Sequence, residues 1–306
     1  MKTPQWEPLP YQSWNATCDT LHAHTQVLGK LAVALAPPEP QLQHAALRIT
    51  ARGWETLPLP APDHSGALVV ALDLHKHHAV AEHSDGRTRY VALTPDRPVA
   101  EVTRELLSAV DALVGAVTIN TTPQETPWTT PLDEDIEHAT YNPDHVDAYF
   151  AAATHAAQVL GAIRAPYRGR SSPVNAWWGT FDLAVSLFSG RAVDQPSHDY
   201  IMRNSANAEQ IEIGWWPGDA RYPHAAFFAF AYPPRPGLES ATVPPPARWN
   251  AELGEYILDW DDARATQDPD RVAVEFGRSV IRHACAVCDW DQSLAASARA
   301  DLPPVT

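Results

Sequence analysis

The sequence predicts an α+β protein, built mainly from antiparallel sheet with flanking helices. Hydrophobic residues make up 45% and charged residues 19% of its 306 residues, so the chain can bury a sizeable core. Stretches with helical apolar spacing alternate with runs rich in Val, Leu, Ile and Thr. These strand-like runs follow one another through short turns, which favours antiparallel pairing.

The first half has the order helix, strands, helix. Apolar residues recur at helical spacing over residues 14–35, and Pro37-Pro38 ends that helix. Asp85-Gly86 supplies the positive φ of a tight hairpin, and Pro98 opens a second helix that runs to about residue 113. Strand composition marks four segments between the helices: 47–57, 68–74, 79–82 and 87–93.

The second half repeats this order. Asn142-Pro143 begins a helix that runs to about residue 164, and Asp268-Pro269 begins the last one. Four segments between them have strand composition: 177–188, 210–216, 225–232 and 255–259. Gln26-Val27-Leu28-Gly29 also recurs as Gln158-Val159-Leu160-Gly161, so an internal duplication is one interpretation. We predict two halves, 1–117 and 142–306, packed as one unit and joined by a connecting segment, 118–141, that is also a candidate cover for a site.

Composition excludes several classes of partner. Lys and Arg number 22 against 37 Asp and Glu, and this net charge of −15 disfavours binding to nucleic acids and to anionic lipid. No run reaches the ~18 apolar residues that span a bilayer, and no signal-peptide core is present at the N-terminus. The three cysteines, an odd number, suit a reducing compartment. We expect a cytoplasmic protein without a nucleic-acid or membrane partner.

Common cofactor and catalytic motifs are missing. The sequence contains no Gly-x-Gly-x-x-Gly, no Gly-x-x-x-x-Gly-Lys-Ser/Thr, no His-Glu-x-x-His and no Gly-x-Ser-x-Gly. We therefore predict no cofactor, and no residue is assigned as catalytic.

Several motifs resemble a mainly bacterial family of unknown function (DUF5996). They include Ser172-Pro173-Val174, Trp178-Gly179-Thr180-Phe181-Asp182-Leu183, Phe188-Ser189-Gly190-Arg191, Leu21-His22, Thr25-Gln26 and Gly29-Lys30. The resemblance covers nearly the whole chain and implies a single unit, but it implies no particular reaction. His24 stands where the family usually has tryptophan, and Asn175 where it usually has histidine. A shared function therefore does not require either position as a catalytic group.

A polar stripe on the first helix is the first candidate for a site. Asp19, His22, Gln26 and Lys30 are spaced by three, four and four residues, so they share one face. One interpretation is a solvated face. The other is that His22 and Gln26 form the rim of a cleft.

The segment 177–191 offers two further candidates. If it is a continuous strand, Trp178, Thr180 and Asp182 share a face. Asp182 is then either an ion-pair partner of Arg191 or the polar floor of a pocket with Trp178 as a wall. Asp182→Asn would cost ~3 to 5 kcal/mol of stability in the first case, and chiefly ligand affinity in the second.

Trp215-Trp216 at a strand end presents two indoles to opposite faces, so one should pack inward. The other, which we take to be Trp216, is either a chance exposed residue or a second wall of the pocket.

Two groups have metal-ligand chemistry without a sufficient pattern, and we predict no metal site. Asp73, His75 and His77 alternate near a hairpin, where polar residues are expected for solvation. Cys285 and Cys288 lie with His283 inside the final helix, so they are interpreted as packed thiols. The acidic run 133–138 lacks the alternating ligands and the glycine of a calcium loop.

The leading functional hypothesis is an aromatic-walled pocket for a small molecule. Its predicted residues are His22, Gln26, Trp178, Asp182, Arg191 and Trp216. One alternative is a hydrolase-type acid/base enzyme that uses His22 or His138 with Asp182. The other is an assembly protein without a ligand, in which tryptophans bury an oligomer interface.

Overall fold

A computed structural model of the chain describes residues 6–194, 197 and 200–296. The α+β prediction is confirmed, because the strands form two antiparallel sheets with helices beside them. The helices are α1 (Tyr11–Leu35), α2 (Val99–Val114), α3 (Pro143–Arg164), α4 (Tyr200–Ser205), α5 (Trp260–Arg264), α6 (Pro269–Val287) and α7 (Gln292–Ala296).

Twelve strands are defined within the described residues. The first six are β1 (Arg48–Thr50), β2 (Gly53–Glu55), β3 (Leu59–Pro60), β4 (Ala67–Asp73), β5 (His78–His83) and β6 (Thr88–Ala92). The others are β7 (Asn175–Trp177), β8 (Asp182–Ala192), β9 (Ala208–Trp216), β10 (Ala226–Tyr232), β11 (Arg248–Asn250) and β12 (Glu255–Asp259). No helix in the described part of the chain is long and apolar enough to cross a bilayer.

The chain forms two compact units, which we name after a central helix of each. The α1 unit comprises Gln12–Ala151 and Asn175–Asp182, and the α6 unit contains the described residues up to Tyr11, Ala152–Val174 and those from Leu183 onward. The predicted halves, 1–117 and 142–306, and their duplication stay a prediction.

In the α1 unit the strands are ordered β1-β2-β4-β5-β6, and β3 pairs with β4. The β5–β6 hairpin turns at Gly86, whose φ of 94° is the positive value that Asp-Gly predicts. Helix α2 packs on β5 and β6. The first N–H groups of α2 are bonded from outside the helix, because Val99 donates to the His138 carbonyl (2.9 Å) and Ala100 to the Asp135 carbonyl (2.8 Å). The connecting segment thereby caps this helix.

In the α6 unit the strands are ordered β11-β12-β10-β9-β8. Helix α6 begins as predicted, with Asp268 accepting the Arg271 N–H and Pro269 in the first turn. It packs on β9, β10 and β12, and large fully buried side chains such as Trp215 and Phe276 form the core.

Two predicted strands are interrupted. Residues 47–57 form the β1–β2 hairpin instead of one strand. The predicted strand 177–188 contains a turn over residues 178–181, where the Phe181 N–H donates to the Trp177 carbonyl (2.8 Å) and Phe181 adopts a φ of 60°. The predicted common strand face of Trp178, Thr180 and Asp182 is therefore wrong, because strand alternation does not apply within a turn.

The predicted alternation of Asp73, His75 and His77 is wrong for the same reason, since residues 74–77 form the β4–β5 turn. There, Asp73 accepts the Lys76 N–H (2.9 Å), and His77 Nδ1 contacts the Tyr141 hydroxyl (3.0 Å).

Candidate functional site

The polar stripe of α1 holds the turn 178–181 and the connecting segment in place. His22 Nε2 lies 3.0 Å from the carbonyl oxygens of both Trp178 and Gly179, so this nitrogen carries a proton and donates. Gln26 Nε2 donates to the Trp178 carbonyl (3.1 Å) and the Gln124 carbonyl (2.9 Å), and Gln26 Oε1 accepts the Gln124 N–H (3.1 Å). Gln26 is fully buried. The side chains of His22 and Gln26 thus provide hydrogen-bond partners for backbone groups that lie outside both sheets.

Trp178 packs in the core of the α1 unit with only 3% of its surface exposed. Its indole lies against Gly29, where a Cβ atom would stand 2.0 Å from the ring, and its Nε1 donates to the Ala45 carbonyl (3.1 Å). The Lys30 ammonium lies 5.5 Å from the ring centroid and donates to Gln124 Oε1 (3.3 Å). Burial lowers the pKa of Lys30 to about 8. Trp178 therefore shields a buried amine.

The turn also places Phe181 at the centre of an aromatic cluster. Its ring stacks on His22, Trp54 and Tyr149, with centroid separations of 5.0, 5.2 and 5.1 Å. The Trp54 indole N–H donates to the Tyr149 hydroxyl (3.0 Å). Stacking from one side and two carbonyl contacts from another fix the His22 ring.

The other edge of His22 meets the connecting segment. Sequence reasoning missed Trp128 and Asp135 there, and it named His138 only as an acid/base candidate paired with Asp182. Trp128 lies edge-on to His22 at 5.1 Å and contacts the His138 ring at 4.4 Å. Asp135 Oδ2 lies 2.7 Å from His138 Nδ1, while its Oδ1 accepts the N–H groups of Glu137 (3.0 Å) and His138 (3.1 Å). We call His22, Trp128, Asp135 and His138 the connector site.

The connector site combines one buried residue with three half-buried ones. Asp135 is 2% exposed, whereas His22, Trp128 and His138 are half-buried. Two backbone N–H groups fix the Asp135 carboxylate, and its Oδ2 can only accept from His138 Nδ1, so the Nδ1–H tautomer is favoured and Nε2 is left as an acceptor. Among the described residues no hydrogen-bonding group contacts that Nε2. An Asp–His pair with one ring nitrogen available is an arrangement that can bind or move a proton.

Polar side-chain atoms on α1 and the connecting segment lie buried and unsatisfied within the described part of the chain. His24 Nδ1, Thr126 Oγ1 and Asp133 Oδ1 are buried without a hydrogen-bond partner among the described residues. His24 is on α1, and its pKa is lowered to about 4, chiefly by burial and then by Arg97, with Asp135 and His138 also acting on it. Buried polar atoms without partners usually mark a water or ligand that completes them.

The remaining predicted residues have the following neighbours. Asp182 is 6% exposed and accepts the Thr180 hydroxyl. Arg191 lies in the α6 unit, where its Nε is 3.3 Å from Glu209 and its Nη2 donates to the Asp289 carbonyl. Trp216, also in the α6 unit, is half-buried and packs edge-on to Phe228 at 5.3 Å, while Trp215 is fully buried as the alternation predicts. The structure thus brings His22, Gln26 and Trp178 together in the α1 unit.

Metal-ligating side chains do not cluster within the residues that the structure describes: no group of three His, Cys, Asp or Glu could hold an ion. Cys285 and Cys288 are free and buried, and burial raises the pKa of Cys285 to about 12. His283 Nε2 donates to the Gly237 carbonyl (2.7 Å) instead of facing the thiols.

Replacing both Cys285 and Cys288 with alanine is expected to cost about 1 to 3 kcal/mol of unfolding free energy, because small buried cavities form. Urea denaturation measures the loss, and elemental analysis of the purified protein accompanies it. Stoichiometric zinc that disappears in the double variant would overturn the structural role of the thiols.

Comparison with known proteins adds the family and no activity. No curated protein and no solved structure matches the chain. The sequence model of a family of unknown function (DUF5996) matches residues 6–297, nearly the whole chain. The match covers every side chain of the connector site, and the chain belongs to this family of unknown function, DUF5996.

Proposed function

We propose that this protein binds a small organic molecule at the connector site. The observation that carries the proposal is the Asp135–His138 pair, in which a buried carboxylate orients a half-buried imidazole and leaves Nε2 to accept a hydrogen bond. Trp128, in contact with that imidazole, supplies an aromatic face. An aromatic wall beside a few convergent polar groups is the usual composition of a ligand site.

The polar surroundings favour a particular class of ligand. Glu125 is exposed, and its Oε2 would lie 2.0 Å from a Cβ placed on Gly179, so a carboxylate stands beside the turn that His22 holds. The chain as a whole carries a net charge of −15. Anions are therefore disfavoured, and a neutral or cationic molecule with a planar face and an O–H or N–H donor fits best.

His22 and Gln26 serve this site by positioning it. They bond the Trp178, Gly179 and Gln124 backbone, which fixes the start of the connecting segment against α1. The aromatic wall of the proposed site is Trp128. Trp178, the wall proposed from the sequence, supports the site from within the core.

Trp128→Ala is expected to weaken ligand binding roughly tenfold, because the stacking surface is lost. His138→Gln is expected to weaken it by a similar factor, since an oriented acceptor disappears. The measurement is saturation-transfer NMR against a library of planar heterocycles and cyclic alcohols, followed by titration of the molecules that bind.

Two controls make this screen specific. Trp216→Ala removes the competing half-buried indole of the α6 unit, and His64→Asn removes an exposed imidazole at a positive φ that asparagine tolerates. Both variants should bind like the wild type. Binding that survives in Trp128→Ala but is lost in Trp216→Ala would move the site to the α6 unit and refute the proposal.

A second candidate function rests on the same pair. With Nδ1–H held by Asp135, His138 Nε2 has the orientation of a general base. For an acid/base enzyme, Asp135→Asn should lower kcat while KM stays nearly constant, whereas a simple binder shows no turnover to lose.

A further inference from the structure

A second constellation lies in the α1 unit, at the β5–β6 hairpin and the turn that precedes β4. Ser65 Oγ is 3.1 Å from His83 Nε2, and His83 Nδ1 is 2.9 Å from Asp85 Oδ1. Ser65 is exposed, while the His83 side chain is 1% exposed. A hydroxyl, an imidazole and a carboxylate therefore lie in line, each within hydrogen-bonding distance of the next.

The carboxylate of this constellation is held firmly. Asp85 Oδ1 accepts the Arg87 N–H (3.0 Å), and Oδ2 accepts Arg87 Nε (2.8 Å). These bonds, together with His83, keep the pKa of Asp85 well below its usual range, so it stays ionised. Two weaker donors, the Asp85 N–H (3.3 Å) and Arg87 Nη2 (3.4 Å), also approach His83 Nδ1. The shorter carboxylate contact decides the tautomer, so Nδ1 is protonated and Nε2 faces Ser65 as a base.

The serine has two acceptors. Its hydroxyl lies 2.5 Å from Asp63 Oδ1 as well as 3.1 Å from His83 Nε2. Glycine at position 66 permits this approach, because a Cβ there would stand 3.1 Å from His83 Nε2 and 2.3 Å from the Ser84 hydroxyl oxygen. The Gly66 N–H has no hydrogen-bond partner among the described residues, and a free N–H directly after a nucleophilic serine can receive a developing oxyanion.

We propose that Ser65, His83 and Asp85 form an acyl-transfer centre, distinct from the connector site. Ser65 Oγ attacks the carbonyl carbon of an ester, and His83 Nε2 takes the hydroxyl proton. The carbon–oxygen bond to the leaving alcohol then breaks, and the alcohol departs with that proton. Water, activated by His83, hydrolyses the acyl-serine to a carboxylic acid and restores the hydroxyl. Asp85 is a positioning residue.

The surroundings limit the substrate class. Ser65 lies on an exposed turn, flanked by the exposed residues His64 and Gly66, so few side chains can select a large acyl group. Asp63 adds a carboxylate beside the hydroxyl, which disfavours anionic substrates. Short neutral acyl esters with good leaving groups are therefore the class that this centre accepts.

The test uses a fluorophosphonate probe on the full chain, with labelling followed by peptide mass spectrometry and p-nitrophenyl acetate hydrolysis measured in parallel. Ser65→Ala should abolish labelling, and His83→Gln should slow it roughly 100-fold, the lower end of a general base's contribution. Asp85→Asn should slow it as well, since the imidazole loses the carboxylate that orients it, whereas Asp85→Glu, which keeps a carboxylate, should restore part of the rate.

Asp63→Asn is the most discriminating variant. It replaces the competing carboxylate by a weaker, neutral amide acceptor, which should favour the hydrogen bond from the Ser65 hydroxyl to His83 and raise the labelling rate. Ser240→Ala is the matched control, since that exposed serine donates to the Gly237 carbonyl instead of a histidine. Circular dichroism confirms the fold of each variant, and Ser65→Gly, which also lacks the hydroxyl, replaces Ser65→Ala if the latter fails to fold. Labelling of a peptide without Ser65, no labelling of the wild type, or equal rates in Asp63→Asn and Asp85→Asn would each overturn the proposal.

Discussion

Gly29→Ala is expected to destabilise the protein by about 3 kcal/mol, at the upper end of overpacking costs. The added Cβ would stand 2.0 Å from the Trp178 indole, which is 3% exposed and bonded through Nε1 to the Ala45 carbonyl. The ring is held by that bond and cannot retreat cheaply. Urea denaturation followed by tryptophan fluorescence measures the loss.

Gly161 is a matched control, because it occupies the corresponding place in the repeated Gln-Val-Leu-Gly sequence and a Cβ there meets nothing within 4 Å. Gly161→Ala should stabilise its helix by about 0.5 to 1 kcal/mol. Trp178→Ala alone should cost about 3 to 5 kcal/mol, and addition of Gly29→Ala to it should cost little more, since the clash has gone. Equal effects of the two glycine substitutions would contradict the packing described.

Acidification from pH 6.5 to 4 is expected to remove about 3 kcal/mol of stability through His24 alone. Burial, with a further contribution from Arg97, lowers the pKa of His24 from 6.5 to about 4. The sign follows from proton uptake. Between these two pH values the unfolded chain binds a proton that the folded protein excludes, so stability falls as pH falls and levels off below pH 4.

His24→Phe removes the titrating group and keeps a ring in the buried position. Between pH 6.5 and 4 its unfolding free energy should therefore change less than that of the wild type. Titration of the Asp and Glu side chains changes the stability of both proteins and does not account for the difference. Chemical denaturation at half-unit pH steps gives the two curves. Parallel curves would show that His24 takes up its proton in the folded protein.

Periodicity and turn chemistry were sufficient to predict most of the fold. The Asp85-Gly86 hairpin, the helices that begin near Pro98 and Asp268, and the alternating burial of Trp215 and Trp216 follow from local rules. The turn at residues 178–181 does not follow from local rules, because Phe181 adopts a positive φ that nothing in its side chain predicts. Tertiary contacts from His22 and Gln26 hold that turn.

The candidate site was harder to predict for the same reason. His22 and Gln26 were found through helical spacing, which requires only one element. Trp128, Asp135 and His138 lie in a segment without periodicity, so neither the contact of Trp128 with His22 on α1 nor the Asp135–His138 pair follows from helical or strand periodicity. One local signal was present, because Asp135 and His138 are separated by three residues, the spacing at which an aspartate can cap a turn and hold the histidine that follows.

The most direct test of the connector site is long-range ¹H–¹⁵N NMR of the 14 histidine side chains, recorded with and without the molecules that bind. The proposal predicts that free His138 is the neutral Nδ1–H tautomer, and that its Nε2 resonance shifts most when a ligand binds. The largest shift at His224, which packs against Tyr222 beside Trp216, with His138 unchanged would contradict it.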